Sequence, residues 1–225
     1  MELDKTQTAR SQKMDARKSE NGPENFTCRN IRENAWNALS GNWIFACLVA
    51  FIYGSISAIV RVPADDSFFC CAVYFFVAVF QSVLSLGFFG CFLDIVRKKP
   101  LRFSRLLSGY SSVRLFLRVL WMEILVSIFL LLWMLLLIIP GIVKVFSYSL
   151  SYFVLLDNPE YSAREAISKS SEMMYGHRWK LLKLLLSFWK WWLLALVTGG
   201  IAMIWVWPYF MTAFAEFYDR LKNET

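Results

Sequence analysis

Long runs of apolar residues constrain the fold of this chain more than any other feature of its sequence. About 20 helical residues are needed to cross the hydrocarbon layer of a bilayer. Of the 225 residues, 57% are hydrophobic, compared with about 45–50% in an ordinary soluble domain. Six runs are candidate spans: 43–60, 68–93, 119–139, 142–156, 184–198 and 201–214. We therefore predict an all-α membrane protein with six transmembrane helices.

Basic residues are concentrated in alternate gaps between these runs. The formal net charge is +7, although only 18% of the residues are charged. With six crossings, the side opposite the basic segments holds only Arg61 and Lys144. The positive-inside rule makes the basic side cytoplasmic, so both termini are predicted to be cytoplasmic. If residues 119–156 formed one crossing instead, the basic segment 164–183 would lie outside, which the charge bias disfavours.

Orientation in a membrane explains the basic composition better than binding to nucleic acid does. The expected partners are the lipid bilayer and its anionic headgroups, with no nucleic acid, and the sequence indicates no particular protein partner. Residues 1–25 are polar and contain Gly22-Pro23, which predicts a disordered cytoplasmic tail. Residues 26–225 are predicted to form a single transmembrane helical domain.

Three polar segments between the runs have amphipathic helical patterns: 28–39, 101–108 and 162–175. The third begins with Ser162-Ala163-Arg164-Glu165, the pattern of a capping box, in which the Ser and Glu side chains each satisfy a backbone N–H. Such basic, amphipathic helices lie in the headgroup layer of a membrane or pack on the end of a helical bundle. The sequence leaves both interpretations open.

The same three segments suggest an internal repeat. Each reads as an amphipathic helix, a glycine, an aromatic residue and then a pair of apolar runs. The glycines are Gly41, Gly109 and Gly176, which fall at nearly equal intervals. Three helix-hairpin repeats around an axis normal to the membrane would follow, and chance similarity of short motifs is the alternative.

Four candidate functional residues follow Gly176, which is predicted to end the third amphipathic helix. They are predicted to contact lipid or a partner: His177, Arg178, Lys180 and Lys183. The alternative for His177 is a position at a helix end, where it meets backbone carbonyls. The sequence contains no pattern of a nucleophile with its base and no cluster of metal ligands. We therefore expect no catalytic residue, no metal site and no cofactor.

Six further candidates are polar residues within the predicted spans: Glu123, Lys144, Tyr148, Ser151, Tyr152 and Lys190. Those from Lys144 to Tyr152 share one face of the fourth span, because they lie at i, i+4, i+7 and i+8. This face is interpreted as close helix packing or as the lining of a pathway. Glu123 and Lys190 could pair across two spans. Alternatively, Lys190 extends to the headgroups from between neighbouring tryptophans.

From Gly109 onward the chain resembles a bacterial family of multi-pass membrane proteins classed as a domain of unknown function. The residues that carry this resemblance are Leu136-Leu137-Ile138-Ile139-Pro140-Gly141-Ile142-Val143-Lys144, Tyr148-Ser149, Asp157-Asn158-Pro159, Glu165-Ala166-Ile167, Ser170, Met174-Tyr175-Gly176-His177-Arg178-Trp179, Leu186-Ser187-Phe188, Trp205-Val206-Trp207-Pro208-Tyr209 and Phe217-Tyr218. Ala38-Leu39-Ser40-Gly41-Asn42-Trp43 is similar to the N-terminal motif of that family. Lys190 departs from the pattern, which has a small or apolar residue there. The resemblance implies a bacterial plasma-membrane protein and no particular activity.

Two classes of function are compatible with these features. The first is a non-enzymatic protein that organises the membrane or envelope through its basic helices. The alternative is a small transporter or lipid-moving protein that uses the polar face of the fourth span. A pathway requires polar groups on several helices, and few are visible in the sequence, so the first class is favoured.

Overall fold

A computed structural model describes residues 27–59, 68–136 and 138–224, and every regular element in these ranges is helical. The predicted tail, residues 1–25, lies outside the described residues. The α-helices are α1 (Cys28–Leu39), α2 (Trp43–Ile59), α3 (Phe68–Val96), α4 (Val113–Leu136), α5 (Ile138–Tyr148), α6 (Ser151–Asp157), α7 (Ala163–Met173), α8 (Arg178–Ser187), α9 (Trp189–Val197) and α10 (Met203–Glu224). A 3-10 helix, Phe103–Tyr110, lies between α3 and α4.

Fewer helices than predicted are long and apolar enough to cross a membrane by themselves. Among the described residues there are two, Phe76–Val96 within α3 and Val113–Leu136. A third possible span is the pair Cys28–Leu39 and Trp43–Ser57, whose axes differ by 98°. The prediction of an all-α protein is confirmed for the described residues. The prediction of six spans is not supported there, since two helices, or three spans with the bent pair, meet the requirement.

The fourth predicted span, 142–156, is divided between α5 and α6. Near the break, the Ser149 hydroxyl donates to the carbonyl of Phe146, and the Ser151 hydroxyl donates to the carbonyl of Tyr148. Serine side chains that bond to nearby carbonyls compete with the helical ladder in this way. The run is therefore apolar enough for a span but does not form one continuous helix.

The fifth and sixth predicted spans, 184–198 and 201–214, also differ from single apolar helices. The fifth is broken at Phe188, where α8 ends and α9 begins. The sixth lies within α10, whose second half carries the charged residues Glu216, Asp219 and Arg220. Hydrophobic periodicity locates apolar runs well, but it does not show where a helix bends inside one.

The amphipathic helices bury the faces that their patterns predict. Helix α1 buries Ile31, Ala35 and Leu39 and packs against α10. Helix α7 packs against α4, α5 and α6 and buries Ala163, Ala166, Ile167, Ser170 and Met173. The predicted capping box is present, since the Ser162 hydroxyl accepts from the Glu165 N–H and the Glu165 carboxylate accepts from the Ser162 N–H. These faces are therefore used for packing on the bundle.

The middle segment of the proposed repeat differs from the other two. Gly41 and Gly176 follow α1 and α7 with φ of 90° and 80°, a left-handed conformation that ends helices and favours glycine. Gly109 is not in that conformation and lies inside the 3-10 helix, where a Cβ would approach a side-chain carbon of Val83 to 2.6 Å. Two of the three segments therefore share the predicted helix-glycine geometry.

The 3-10 helix docks directly on α3. A Cβ added at Gly87 would lie 1.9 Å from the carbonyl oxygen of Leu106, so only glycine allows this approach. Leu106 itself is buried in the core, which also includes residues of α1, α4, α6, α7 and α10. The connection between α3 and α4 is thereby held against the bundle.

Candidate functional site at one end of the bundle and inside it

A cluster of charged side chains joins the ends of three helices. Arg97 follows α3 and donates to both carboxylate oxygens of Asp157, at 2.6 and 2.8 Å, and to Asp219 at 2.7 Å. Tyr218 and Lys222 donate to Asp157 at 3.0 and 2.6 Å. We call these five residues the Asp157 cluster. It connects the end of α6 to the ends of α3 and α10.

The electrostatics of the cluster favour the charged forms of Asp157 and Arg97. Burial opposes ionisation of Asp157, but hydrogen bonds from Arg97 and Lys222 hold its pKa well below the ordinary value. Burial also acts to lower the pKa of Arg97, and hydrogen bonds to the two aspartates raise it instead. The pKa of Tyr218 is raised by burial and by Asp157. At neutral pH the cluster therefore holds its charges in fixed pairs and has no proton ready to exchange.

Sequence reasoning did not identify this cluster. A signal was present, because Asp157 directly follows the predicted run 142–156 and Arg97 lies four residues after the run 68–93, and both runs end on the predicted basic side. The bidentate geometry adds specificity that a turn residue does not need.

Other polar contacts gather at the same end. Arg118, near the start of α4, donates to the carbonyl of Pro159, which follows α6. His177 and Lys180, at the start of α8, lie 3.6 and 4.0 Å from the Glu224 carboxylate at the end of α10. The end of α10, the segments that follow α3 and α6, and the N-terminal parts of α4 and α8 therefore meet. We call this region the basic end of the bundle.

The predicted lipid-contacting residues are only partly turned outward. His177 and Lys180 face Glu224, as described. The guanidinium of Arg178 lies 6.0 Å from the centre of the Tyr175 ring, and its buried Nε has no hydrogen-bond partner among the described residues. Of the four, Lys183 is exposed.

The predicted polar face of the fourth span is not continuous, because the helix breaks within it. Lys144 lies against aromatic rings, with Nζ 5.1 Å from the centre of the Trp133 ring and 5.7 Å from that of Tyr148. Ser151 is buried, and its hydroxyl donates across the break to the carbonyl of Tyr148. The predicted residues therefore belong to two helices and do not form one continuous helical face. The interpretation of this face as a pathway lining stays a prediction.

A different set of polar groups meets inside the bundle, between α2, α3, α4 and α6. The Tyr53 and Ser85 hydroxyls are 3.0 Å apart, and the Gln81 amide donates to the Ser57 hydroxyl at 2.6 Å. Tyr152 interacts with Ser85 and with the Glu123 carboxylate. We call these six residues the polar chain. Within the described residues, Oε2 of Glu123 and Oε1 of Gln81 are buried without a hydrogen-bond partner.

Glu123 and Lys190 do not form the predicted pair. Glu123 faces Tyr152 in the polar chain, whereas Lys190 is exposed at the break between α8 and α9. The ion pairs found among the described residues do not include them. No three His, Cys, Asp or Glu side chains come together as a metal site in the described ranges.

The described residues form a helical protein with a few long apolar helices, and ion pairs join the helix ends at its basic end. Within it, residues 135–225 match the family described as "Protein of unknown function (DUF975)". The predicted resemblance to a domain of unknown function is confirmed over those residues. No curated protein and no solved structure matches the chain.

Proposed function

We propose that this chain is a multi-pass integral membrane protein with a non-enzymatic role, which organises the membrane by holding anionic lipid at its basic end. The observation that carries the proposal is the outer surface of α4. This 24-residue helix is among the most apolar parts of the chain, yet its outer side chains are exposed on the bundle, with Leu131 and Leu135 at 71% and 85%.

The energetic argument for a bilayer follows from that exposure. Burying a leucine or isoleucine side chain is worth about 1.5–3 kcal/mol. A row of such residues left in water is a patch that soluble proteins avoid. The row on α4 comprises Leu117, Ile124, Ile128, Leu131, Leu132 and Leu135. A hydrocarbon environment removes the whole penalty, and similar exposed residues on α2 and α9 extend the apolar surface.

The contacts at the basic end support three hairpins that begin and end on one side. Helices α2 and α3 pack together, as do α4 with α5 and α9 with α10. Helices α3, α6 and α10 end beside the basic end, and α4 and α8 begin there. Taken with the positive-inside rule, this favours six crossings with interrupted helices, both termini in the cytoplasm, and a bacterial plasma membrane.

The charge distribution supports anionic lipid as the partner. Exposed basic side chains surround the end where the ion pairs lie: Lys98, Lys99, Arg102, Arg114, Arg164 and Lys183. A basic residue close to an anionic leaflet contributes about 1 kcal/mol. The surface therefore attracts acidic headgroups even though His177 and Lys180 face Glu224.

The test of this proposal is the position of single cysteines introduced into a cysteine-free variant. An impermeant thiol reagent added to intact cells is expected to label a cysteine at Asp65 but not at Ser104 or Ser168. After lysis, all three are expected to react. Labelling at Ser168 from outside would refute the topology, and extraction of the protein by alkaline carbonate would refute membrane integration.

The second candidate function, a small transporter, is favoured by one observation, the polar chain. A carboxylate oxygen without a partner inside a bundle is costly and is often functional in membrane proteins. Glu123→Gln would abolish substrate or proton flux in proteoliposomes if this candidate is correct, while a Glu216→Gln control at the start of the charged half of α10 would not. Equal flux in the three proteins would exclude a role of Glu123, and no flux above lipid alone would refute transport of the substrate tested.

A further inference from the structure

We propose that a groove between α1, α8 and α9 binds the phosphate of one anionic glycerophospholipid, with Arg32 and Lys190 as its cationic ligands. The site deepens the proposed lipid-binding function and rests on it, because it requires the groove to face a bilayer.

The groove exists because the chain breaks at Phe188. Helix α8 ends at Ser187 and α9 starts at Trp189, so the backbone between them opens toward α1. The space has a volume of about 780 Å³. Its walls are formed by Arg32, Leu186, Ser187, Trp189, Lys190, Trp191 and Leu194. A volume of this order holds a lipid headgroup together with the first part of its chains.

The two cationic side chains that line the groove differ in their contacts: one is fixed by hydrogen bonds and the other is exposed. Arg32 donates to the carbonyl oxygen of Ser187 at 2.9 Å and to its hydroxyl at 2.7 Å, which fixes the guanidinium at the break. Its Nε is buried and has no hydrogen-bond partner in the described part of the chain. Lys190 is exposed, and no hydrogen bond or ion pair joins it to another described residue.

The charge of the groove selects an anion. Two basic side chains and no carboxylate line it. Guanidinium and ammonium groups form short, charge-assisted hydrogen bonds with phosphate oxygens. The Ser187 hydroxyl, already oriented by Arg32, lies beside them as a further polar group.

The neighbouring surface selects a lipid over a free anion. Trp189, Leu186 and Leu194 are exposed, and the surface beyond them on α9 continues with Leu193, Leu196 and Val197. Helix α8 on the other side begins with Arg178 and Lys180. Lys190 therefore sits at the boundary between basic and apolar surface, where Trp side chains mark the membrane interface. A phosphate there would have its acyl chains lying along α9.

The test compares lipid retention by full-length variants in nanodiscs that contain equal parts of phosphatidylglycerol and phosphatidylcholine. Bound lipid is counted by native mass spectrometry after release. Lys190→Gln is the main variant, because its exposed side chain has no folding contact. Arg29→Gln is the matched control, since it removes an equal exposed charge from α1 outside the groove. Arg32→Lys keeps the charge but removes the guanidinium group that donates to Ser187.

We expect wild type to retain one phosphatidylglycerol in preference to phosphatidylcholine. Lys190→Gln is expected to weaken this preference about fivefold, the factor that corresponds to about 1 kcal/mol per basic residue. Arg29→Gln should leave it unchanged, and Arg32→Lys should weaken it. Millimolar inorganic phosphate should not displace the lipid, because it lacks the acyl chains.

Three results would overturn the site. Equal losses in Lys190→Gln and Arg29→Gln would show diffuse attraction rather than a groove. Displacement by inorganic phosphate would show a simple anion site. A wild-type protein that is membrane-embedded but retains no phosphatidylglycerol would refute the groove and leave membrane integration intact, whereas failure of the labelling and extraction tests would refute integration itself.

Discussion

Replacing Arg97 with glutamine tests the Asp157 cluster most directly. The side chains of Arg97 and Asp157 are 16% and 9% exposed, so the pair is nearly shielded from water. The substitution removes three charge-assisted hydrogen bonds and leaves Asp157 and Asp219 near each other without the cation between them. Removing one partner of a buried ion pair costs about 3–5 kcal/mol, and residual contact with Lys222 places the expected loss near the lower limit, about 3 kcal/mol.

The matched control is Lys222→Gln, which removes a cation from the same carboxylate. Lys222 is 45% exposed, and Asp157 keeps both bonds from Arg97. The expected loss is therefore under about 1 kcal/mol. Unfolding of the purified protein in mixed micelles, followed by tryptophan fluorescence as the denaturing detergent is increased, measures both variants. Equal destabilisation of the two would refute the argument that Arg97 holds the three helix ends.

The pH dependence of the free energy of unfolding is a second test of the Asp157 cluster. The pKa of Asp157 is lowered in the folded protein, whereas a free aspartate has a pKa of about 3.9. The stabilisation by this group is therefore complete above about pH 4 and is lost as the pH falls below that value, since the unfolded chain then binds a proton first. Below about pH 4, the free energy of unfolding should fall less steeply with decreasing pH in Asp157→Asn than in wild type. We call this low-pH part of the curve the acid limb. An unchanged acid limb in that variant would contradict the assignment.

The remaining predictions concern packing, capping and the intramembrane charges. Gly87→Ala should destabilise the protein by about 2–3 kcal/mol, because its Cβ meets a backbone carbonyl that cannot move aside easily; a neutral effect on unfolding would show that the 3-10 helix is free to shift. Ser162→Ala should cost about 1 kcal/mol by removing the cap of α7, and Ser162→Asp, which keeps an acceptor, should restore most of it. Glu123→Gln and Lys190→Met should be additive within about 0.5 kcal/mol in a double-mutant cycle, as unpaired residues are; a larger coupling energy would place the two side chains together.

Local patterns in the sequence predict the helical parts of the fold that depend on near neighbours. The capping box at Ser162 and the buried face of α1 follow from residues three or four positions apart, and both are present. The same reasoning failed at Ser149 and Phe188, because an apolar run looks the same whether or not its helix is interrupted. Breaks of this kind depend on competing hydrogen bonds and on tertiary packing, neither of which hydropathy records.

The polar sites were less predictable, because their members come from distant parts of the chain. Glu123 and Tyr152 were each predicted to be polar residues within spans, but Ser85, which also interacts with Tyr152, was not. Arg32 and Lys190 are far apart in sequence, and only the opening between α8 and α9 brings them to one groove. Spacing arguments act within one helix, whereas these sites are set by which helices are neighbours.

The composition of the Asp157 cluster has a consequence for how the protein is made. Helix α10 supplies Tyr218, Asp219 and Lys222, whereas Arg97 and Asp157 emerge from the ribosome much earlier. During synthesis, Arg97 and Asp157 can therefore pair before α10 exists, but Asp157 lacks the bonds from Tyr218 and Lys222, and Arg97 lacks its bond to Asp219. The cluster is completed only after α10 has been made.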